Sequence, residues 1–518
     1  MSEQNQFVIG MDCGTTNIKA VVLRSDGKVI AKASRPSTFL QSGPNMHEQD
    51  ANEWWKSASE IFSELSKSLS REELLHITGI CVSSHTVTML PVDSKGMPLR
   101  MAMTYQDGRS SGELEEILDT IGRDRFINIV GGQPSVAFLP NKLLWFRRNE
   151  PDLYERTAAF LQASSYINYK LTGVMVTDTD QAYRTQCMDV EKQAWSEEIS
   201  SVIGVDFSEK MPELKQVDEI IGYVTPEAAK ETGLAAGIPV LAGCSDAMAA
   251  MYATGISRMG EAGESSGTTS LVFAGSEVQS STDVPVVTRP CVIDNIPWIF
   301  DAPIQSSGAA IQWMIDKLAV KEREYANEHG LNVYAYLNEL ALQAKPGANG
   351  LIFFPYLLGE RAPLWNDHAS GIFIGMRMNM ERIDLIRAVF EGTAFALRHV
   401  IETVRESGAK VDLLRICGGG SRSRTWNMIK ASVLNMPVYV MSGESGDVPV
   451  GDALIAGHRV GMFPDLSEAV KKILKVEEVI APIPEWTAVY DKLYPYYVSM
   501  YQKLDPDLKS LKNTLEKM

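Results

Sequence analysis

Three glycine-rich turns, far apart and each interrupting or ending an apolar run, constrain this chain more than any other feature. Asp12-Cys13-Gly14-Thr15-Thr16-Asn17 lies near the start, Ser266-Gly267-Thr268-Thr269-Ser270 in the middle, and Cys417-Gly418-Gly419-Gly420-Ser421 late in the chain. Glycine lets a backbone approach a ligand with no Cβ in the way. Successive N–H groups beside Ser and Thr hydroxyls form an anion cradle. Around the first turn, residues 7–11, 18–23 and 29–31 read as three antiparallel strands, with Ser25-Asp26-Gly27-Lys28 as a second hairpin turn. A dinucleotide-binding unit is built differently, because there the glycine loop leads into a helix.

The opening pattern recurs in the second half: residues 260–265, the Gly267 turn, then residues 270–273. We read this as a structural duplication with a boundary near 254, giving domains 1–253 and 254–518. A chain of 518 residues is too long for one core, so two domains are expected on size as well. Two related halves, each with a phosphate turn on a hairpin, suggest one nucleotide clamped between them. Elsewhere, residues 50–68 read as a helix with Trp54, Trp55, Ala58, Ile61, Phe62 and Leu65 on one face. Residues 77–82 read as a buried strand, and 151–172 and 195–203 as helices. The strand 237–243 ends at Cys244-Ser245-Asp246, ahead of a small-residue helix over 247–253. Residues 497–518 form a polar, charge-rich helix or tail.

The formal net charge of −16 argues against non-specific nucleic-acid binding, which needs a basic surface. No apolar stretch is long enough for a membrane span, and residues 1–6 carry no leader signature. The six cysteines, at 13, 81, 187, 244, 291 and 417, form no Cys-x-x-Cys pair, and scattered single thiols fit a reducing cytoplasm. The glycine–lysine signature of P-loop ATPases and the protein-kinase motifs are both missing.

Four constellations carry candidate chemistry. Asp12, beside Gly14, Thr15 and Thr16, can hold Mg²⁺ through water, although a tight turn with a capping Asp explains the same residues. Asp246 follows a buried strand and opens a helix, as an N-cap would, and it also stands where a base for an attacking hydroxyl is needed. Ser306-Ser307-Gly308-Ala309-Ala310-Ile311-Gln312-Trp313 opens a helix with small residues that admit a ligand or another backbone. The Gly418–Gly420 run is costly in chain entropy, which a purine or ribose against that backbone would explain. His85, after the 77–82 strand, and Asp107-Gly108-Arg109 could present hydrogen bonds to a polyol.

With these residues in view, the chain resembles the FGGY family of carbohydrate kinases over essentially its whole length. Asp12–Thr16 and Ser266–Ser270 resemble the family's two phosphate motifs. Gly371-Ile372-Phe373-Ile374-Gly375-Met376, followed by Asp384-Leu385 and Ala388-Val389-Phe390-Glu391, fits its second signature. Lys142-Leu143-Leu144-Trp145 with Asn149-Glu150-Pro151 resembles the first, with Leu139 departing from it. The resemblance implies an α/β fold of two actin-like (ribonuclease-H-like) domains closing over ATP and a sugar, with ATP and Mg²⁺ as cofactors. It implies Asp246 as catalytic base and Asp12 near the metal. Gly14, Thr15, Thr16, Gly267, Thr268, Thr269, Gly308, Ile311, Gln312, Gly419, Gly420 and Ser421 would lie near ATP, and Ser84, His85, Asp107, Arg109 and Asp246 near the sugar.

The expected reaction is phosphorylation of a primary hydroxyl of a small sugar, a pentulose such as xylulose first, with gluconate and glycerol-type polyols as alternatives. Ser84 replaces the Met of a Met-His pair found in xylulose-type members, Ala247 replaces an Asn, and Tyr105-Gln106-Asp107-Gly108-Arg109 resembles their Trp-Asn-Asp-Gly-Arg. Gly359-Glu360-Arg361-Ala362-Pro363-Leu364-Trp365 looks as much like the gluconate-type members. The rival of another class is an actin-fold ATP-binding regulator, against which stand the missing DNA-binding module and the retained Asp246. A homodimer is among the assemblies the sequence leaves open.

Overall fold

The computed structural model describes residues 6–43, 45–280, 285–291, 293, 295–442 and 446–515. Residues 1–5, where no leader signature was read, and the end of the polar tail, 516–518, lie outside the described residues. The chain divides into two compact units, Met1–Ala253 with Asp447–Ile473, and Thr254–Gly446 with Leu474–Met518. The sequence predicts a single crossing near 254; the return of Asp447–Ile473 to the first unit adds two more.

Each unit is built on a seven-stranded mixed sheet. In the first unit, Phe7–Cys13 pairs antiparallel with Asn17–Arg24 and parallel with Ile77–Ser84. Every residue of Phe7–Cys13 is buried, as expected of a central strand covered on both faces. Helix Ala51–Ser68 covers one face; Asp50 caps it by accepting from the Asn52 amide, and its apolar stripe is the one the periodicity predicts. On the same sheet packs Val448–Arg459, the helix of the returning segment. A Cβ on Gly10 would sit 1.9 Å from the Pro449 carbonyl oxygen, so strand and helix touch backbone to backbone and only glycine fits.

The second unit repeats this arrangement. Gly260–Ser266 pairs antiparallel with Ser270–Ser276 and parallel with Val411–Cys417, and Ser270–Ser276 pairs in turn with Trp298–Ile304. The two sheets therefore share one plan, a three-strand meander with a parallel strand laid beside its first strand. Arg382–Glu406, a 25-residue helix, runs through the core of this unit. It carries the later part of the second family-like signature, Asp384-Leu385 and Ala388–Glu391, and the side chains there are used in packing. Arg387 and Tyr490 both donate to Glu391, and Glu391 also accepts from the Gly347 amide.

Two sequence-based expectations need correction. Residues 151–172 are not one helix: Pro151–Arg156 is helical, Ala159–Leu161 is a strand paired with Leu90–Val92, and a helix resumes over Ala163–Thr172. The apolar Ala159-Phe160-Leu161 run gains a strand partner that helical periodicity cannot reveal. The tail helix starts earlier than expected and spans Pro484–Leu515.

Candidate active site

Strand register brings three of the predicted residues of the first unit to one edge. Asp12 is level with Ser83, Cys13 with Ser84, and Ser245 with Ser84. Asp12, His85 and Asp246 thus end three neighbouring strands at the same side of the sheet, the position where open α/β sheets bind ligands. Asp12 is 7% exposed, and its Oδ1 has no hydrogen-bond partner among the described residues. Burial, then the charge of nearby Asp246, holds its carboxyl well above the usual range. A carboxylate in that state fits a cation. Among the described residues no group of three or more His, Cys, Asp or Glu could hold a metal ion.

The turn after Asp12 is tied down around its rim. Gly14 N–H donates to Asn17 O at 3.1 Å, Gln49 Nε2 to Thr15 O at 3.1 Å, and Ser37 N–H to Thr16 O at 2.8 Å. With its carbonyls so engaged, the turn leaves Thr16 exposed and Gly14 and Thr15 half-buried.

His85 is buried, with Nδ1 2.9 Å from the Cys13 carbonyl oxygen. A carbonyl only accepts, so Nδ1 carries the proton. Burial pushes the imidazole pKa down, and the neutral ring leaves Nε2 as an acceptor with no partner among the described residues. Asp246 opens helix Asp246–Ala253, and its Oδ1 accepts from the Ala247 amide at 2.7 Å.

Three predicted sugar contacts are engaged within the protein. Ser84 Oγ donates to Ser164 Oγ at 3.1 Å and accepts from Gln181 Nε2 at 3.0 Å. Asp107 is fully buried, and its two oxygens take the Arg109 amide and guanidinium and the His47 amide. Arg109 also reaches Glu48 at 2.8 Å and lies over Trp145. Lys142, of the first family-like signature, is buried and donates to the carbonyls of Val136 and Ala137; burial pushes its ammonium down to about 7.

In the second unit, all three predicted nucleotide segments meet. Gly308 N–H donates to Gly267 O at 3.1 Å and Ala309 N–H to Thr268 O at 2.8 Å, joining the 306–308 segment to the second phosphate turn. Ser265 is level with Cys417, which brings the Gly418–Gly420 turn beside them. Gly267, Thr268, Thr269 and Gly419 are exposed and Gly420 half-buried; Ser421 is buried, its Oγ donating to Gly418 O at 2.7 Å. Ile311 packs in the hydrophobic core, and exposed Gln312 bonds Asp316 and Tyr334. Beneath the turns lies a buried network that sequence reading missed. Lys430 Nζ donates to both Glu264 oxygens, at 2.7 and 2.9 Å, and Ser270 Oγ links Glu264 to Ser307. Its members lie far apart in the chain, so no local signal marks them. The same holds for Asp452, which accepts from Ser83 Oγ at 2.8 Å beneath the Asp12 edge.

The comparisons with known proteins agree with this plan. Residues 7–253 match the model of the FGGY family of carbohydrate kinases, N-terminal domain, and residues 264–460 that of the C-terminal domain. A xylulose kinase of Staphylococcus epidermidis is 29% identical over 514 residues, spanning 98% of this chain and 99% of the relative. The crystal structure of xylulose kinase from Rhodospirillum rubrum has a TM-score of 0.88 at 29% identity, covering 97% of this chain and 100% of that one. Gluconate kinase from Lactobacillus acidophilus has the same TM-score of 0.88 at 22% identity, over 98% and 99%, and shows the fold alone. The fold is the two-domain actin-like α/β fold of these kinases. The chain belongs to the FGGY family of carbohydrate kinases and is an ATP-dependent kinase acting on a sugar.

Proposed function

We propose that this kinase transfers the γ-phosphoryl group of ATP to a primary hydroxyl of a pentulose, xylulose being the first candidate, with Asp246 as the base. The observation that carries the reading is the convergence of Asp12, His85 and Asp246 on one sheet edge, in a chain related to xylulose kinases over nearly its full length. Asp246 accepts the proton of the attacking hydroxyl as its oxygen bonds the γ-phosphorus and the bond to the β-phosphate oxygen breaks, releasing ADP. His85 orients the sugar, its bare Nε2 accepting from a second hydroxyl. Ser84 and Asp107 act behind the pocket: Ser84 braces the strand end before His85, and Asp107 fixes the Arg109 guanidinium.

On the nucleotide side, the exposed turn at Gly267–Thr269 and the backbone at Gly308, Gly419 and Gly420 accept the phosphates and nucleoside. Ile311 supports that segment from the core. Mg²⁺, when bound near Asp12, would neutralise phosphate charge, and Asp12's unpartnered Oδ1 is the atom suited to it or to one of its waters. Cys13, Cys81, Cys187, Cys244 and Cys417 are free thiols, which agrees with a reducing compartment such as the cytoplasm; among the described residues no helix is long and apolar enough to cross a membrane.

The test is Asp246→Asn, which keeps the side-chain shape. Turnover should fall at least about 10²-fold, the scale for losing a general base, while ADP affinity is unchanged. Near-normal turnover would remove Asp246 from the mechanism.

A further inference from the structure

We infer that Asp180 is a positioning residue for the catalytic base, an inference that rests on the reading of Asp246 as that base. Asp180 lies in the short helix Thr179–Thr185, is 1% exposed, and belongs to neither phosphate turn. Its Oδ2 accepts from the Ser245 amide at 3.0 Å and from the Ser245 hydroxyl as well. Its Oδ1 accepts from Arg184 Nε at 3.1 Å, one helical turn on, so the guanidinium sets the plane of the carboxylate. Ser245 Oγ in turn accepts from the Met248 amide at 3.1 Å, capping the first turn of the helix that Asp246 opens.

Capping that helix needs only the serine. A buried carboxylate gripping both the amide and the hydroxyl of the preceding residue does more, because it fixes the backbone direction from which the Asp246 side chain projects. Burying a charge is costly unless it is paired and hydrogen-bonded, and Asp180 meets both conditions. The neighbouring Gln181 extends the same grip. Its amide nitrogen donates to Ser84 Oγ at 3.0 Å and to the Cys244 carbonyl at 3.3 Å. Two adjacent residues thus hold the strand end before His85 and the strand end before Asp246. Base and sugar-orienting imidazole are held in one frame by one short helix, through the residues that precede them.

A misplacement of about 1 Å at a reacting group can cost about 10²-fold in rate. Asp180→Ala should therefore lower kcat about 10- to 100-fold, with the KM values for ATP and acceptor within about threefold of wild type. The acceptor used is whichever of D-xylulose, D-ribulose, gluconate and glycerol the wild type turns over fastest.

The deciding comparison is Asp180→Ala in an Asp246→Asn background. If Asp180 acts through the base, it has nothing left to position, and kcat there should change by less than about twofold. A merely structural residue would lower kcat by the same factor in both backgrounds, and that result overturns the inference. So does an unchanged kcat in Asp180→Ala when Asp246→Asn is inactive. A fully active Asp246→Asn instead overturns the reading of the base, and the inference with it. Should Asp180→Ala not fold, Asp180→Asn and Arg184→Met enter the same comparison.

Discussion

Gly308→Ala, set against Gly419→Val, separates damage to the phosphate turn from intrusion on the nucleotide. A Cβ at 308 would lie 2.3 Å from the Gly267 carbonyl oxygen, 3.1 Å from its carbon and 3.5 Å from Thr268 Cα. Ordinary contact at such distances needs roughly 1 Å more, and the crowding atoms are backbone, so the turn itself must retreat. The Gly308–Gly267 and Ala309–Thr268 hydrogen bonds, at 3.1 and 2.8 Å, would both stretch. Losing them costs about 1 kcal/mol each in stability, and the shifted cradle should lower kcat/KM for ATP about 10²-fold. At 419, no atom of the described residues beyond the chain neighbours lies within 4 Å of an added Cβ. Gly419→Val should therefore leave stability within about 0.5 kcal/mol of wild type. It should still raise KM for ATP about tenfold or more, because the added methyls occupy space assigned to the nucleotide. Coupled ADP release at varied ATP, with acceptor saturating, reads both effects, and urea unfolding reads stability. A Gly419→Val protein with unchanged KM for ATP would show that the nucleotide does not lie against that turn.

Three further predictions follow from single residues. His85→Ala should raise KM for the sugar about tenfold with KM for ATP unchanged, since only the sugar loses a hydrogen-bond acceptor; equal effects on both substrates would remove His85 from the sugar site. Lys430→Met, which strands Glu264 as an unpaired buried charge, should destabilise the protein by about 3–5 kcal/mol in urea unfolding; a loss under 1 kcal/mol would mean the network is not the anchor of the second turn. Burial raises the Glu360 carboxyl from 4.5 to about 7, while its oxygen accepts from the Gln305 and Arg361 amides. The folded state then holds a proton that the unfolded state has released, so stability falls by about 3 kcal/mol in all as pH rises from about 4.5 to 7. Glu360→Gln keeps the acceptor and cannot ionise, so it should match wild type near pH 4.5 and exceed it by about 2–3 kcal/mol at pH 8. Parallel pH profiles for the two proteins would contradict the shift.

What could be read from the sequence was what is local. The hairpin turns after Asp12 and Ser266 carry their own signals, glycine and hydroxyl residues between apolar runs, and Asp246 is marked by the strand before it and the helix after it. The Trp54–Leu65 stripe is visible for the same reason, as a helical period in one segment. What stayed hidden depends on partners remote in the chain. Ser83 meets Asp452 across 369 positions and Lys430 meets Glu264 across 166, so neither Asp452 nor Lys430 differs locally from an ordinary helix residue. The return of Asp447–Ile473 to the first unit is of the same kind, settled by close backbone packing at Gly10. Asp107 and Ser84 show the opposite limit. Their residue types suit a polyol pocket, but the hydrogen bonds each side chain makes are spent within the protein, which only coordinates reveal.

The most direct measurement of the central claim is acceptor-dependent ADP release by the wild-type enzyme over ketopentoses, aldonates and polyols, with Asp246→Asn run beside it. A ketopentose should head the ranking, and that activity should be lost in the variant. An aldonate or polyol at the head would contradict the proposed acceptor, and equal ADP release with and without every acceptor would contradict sugar phosphorylation itself.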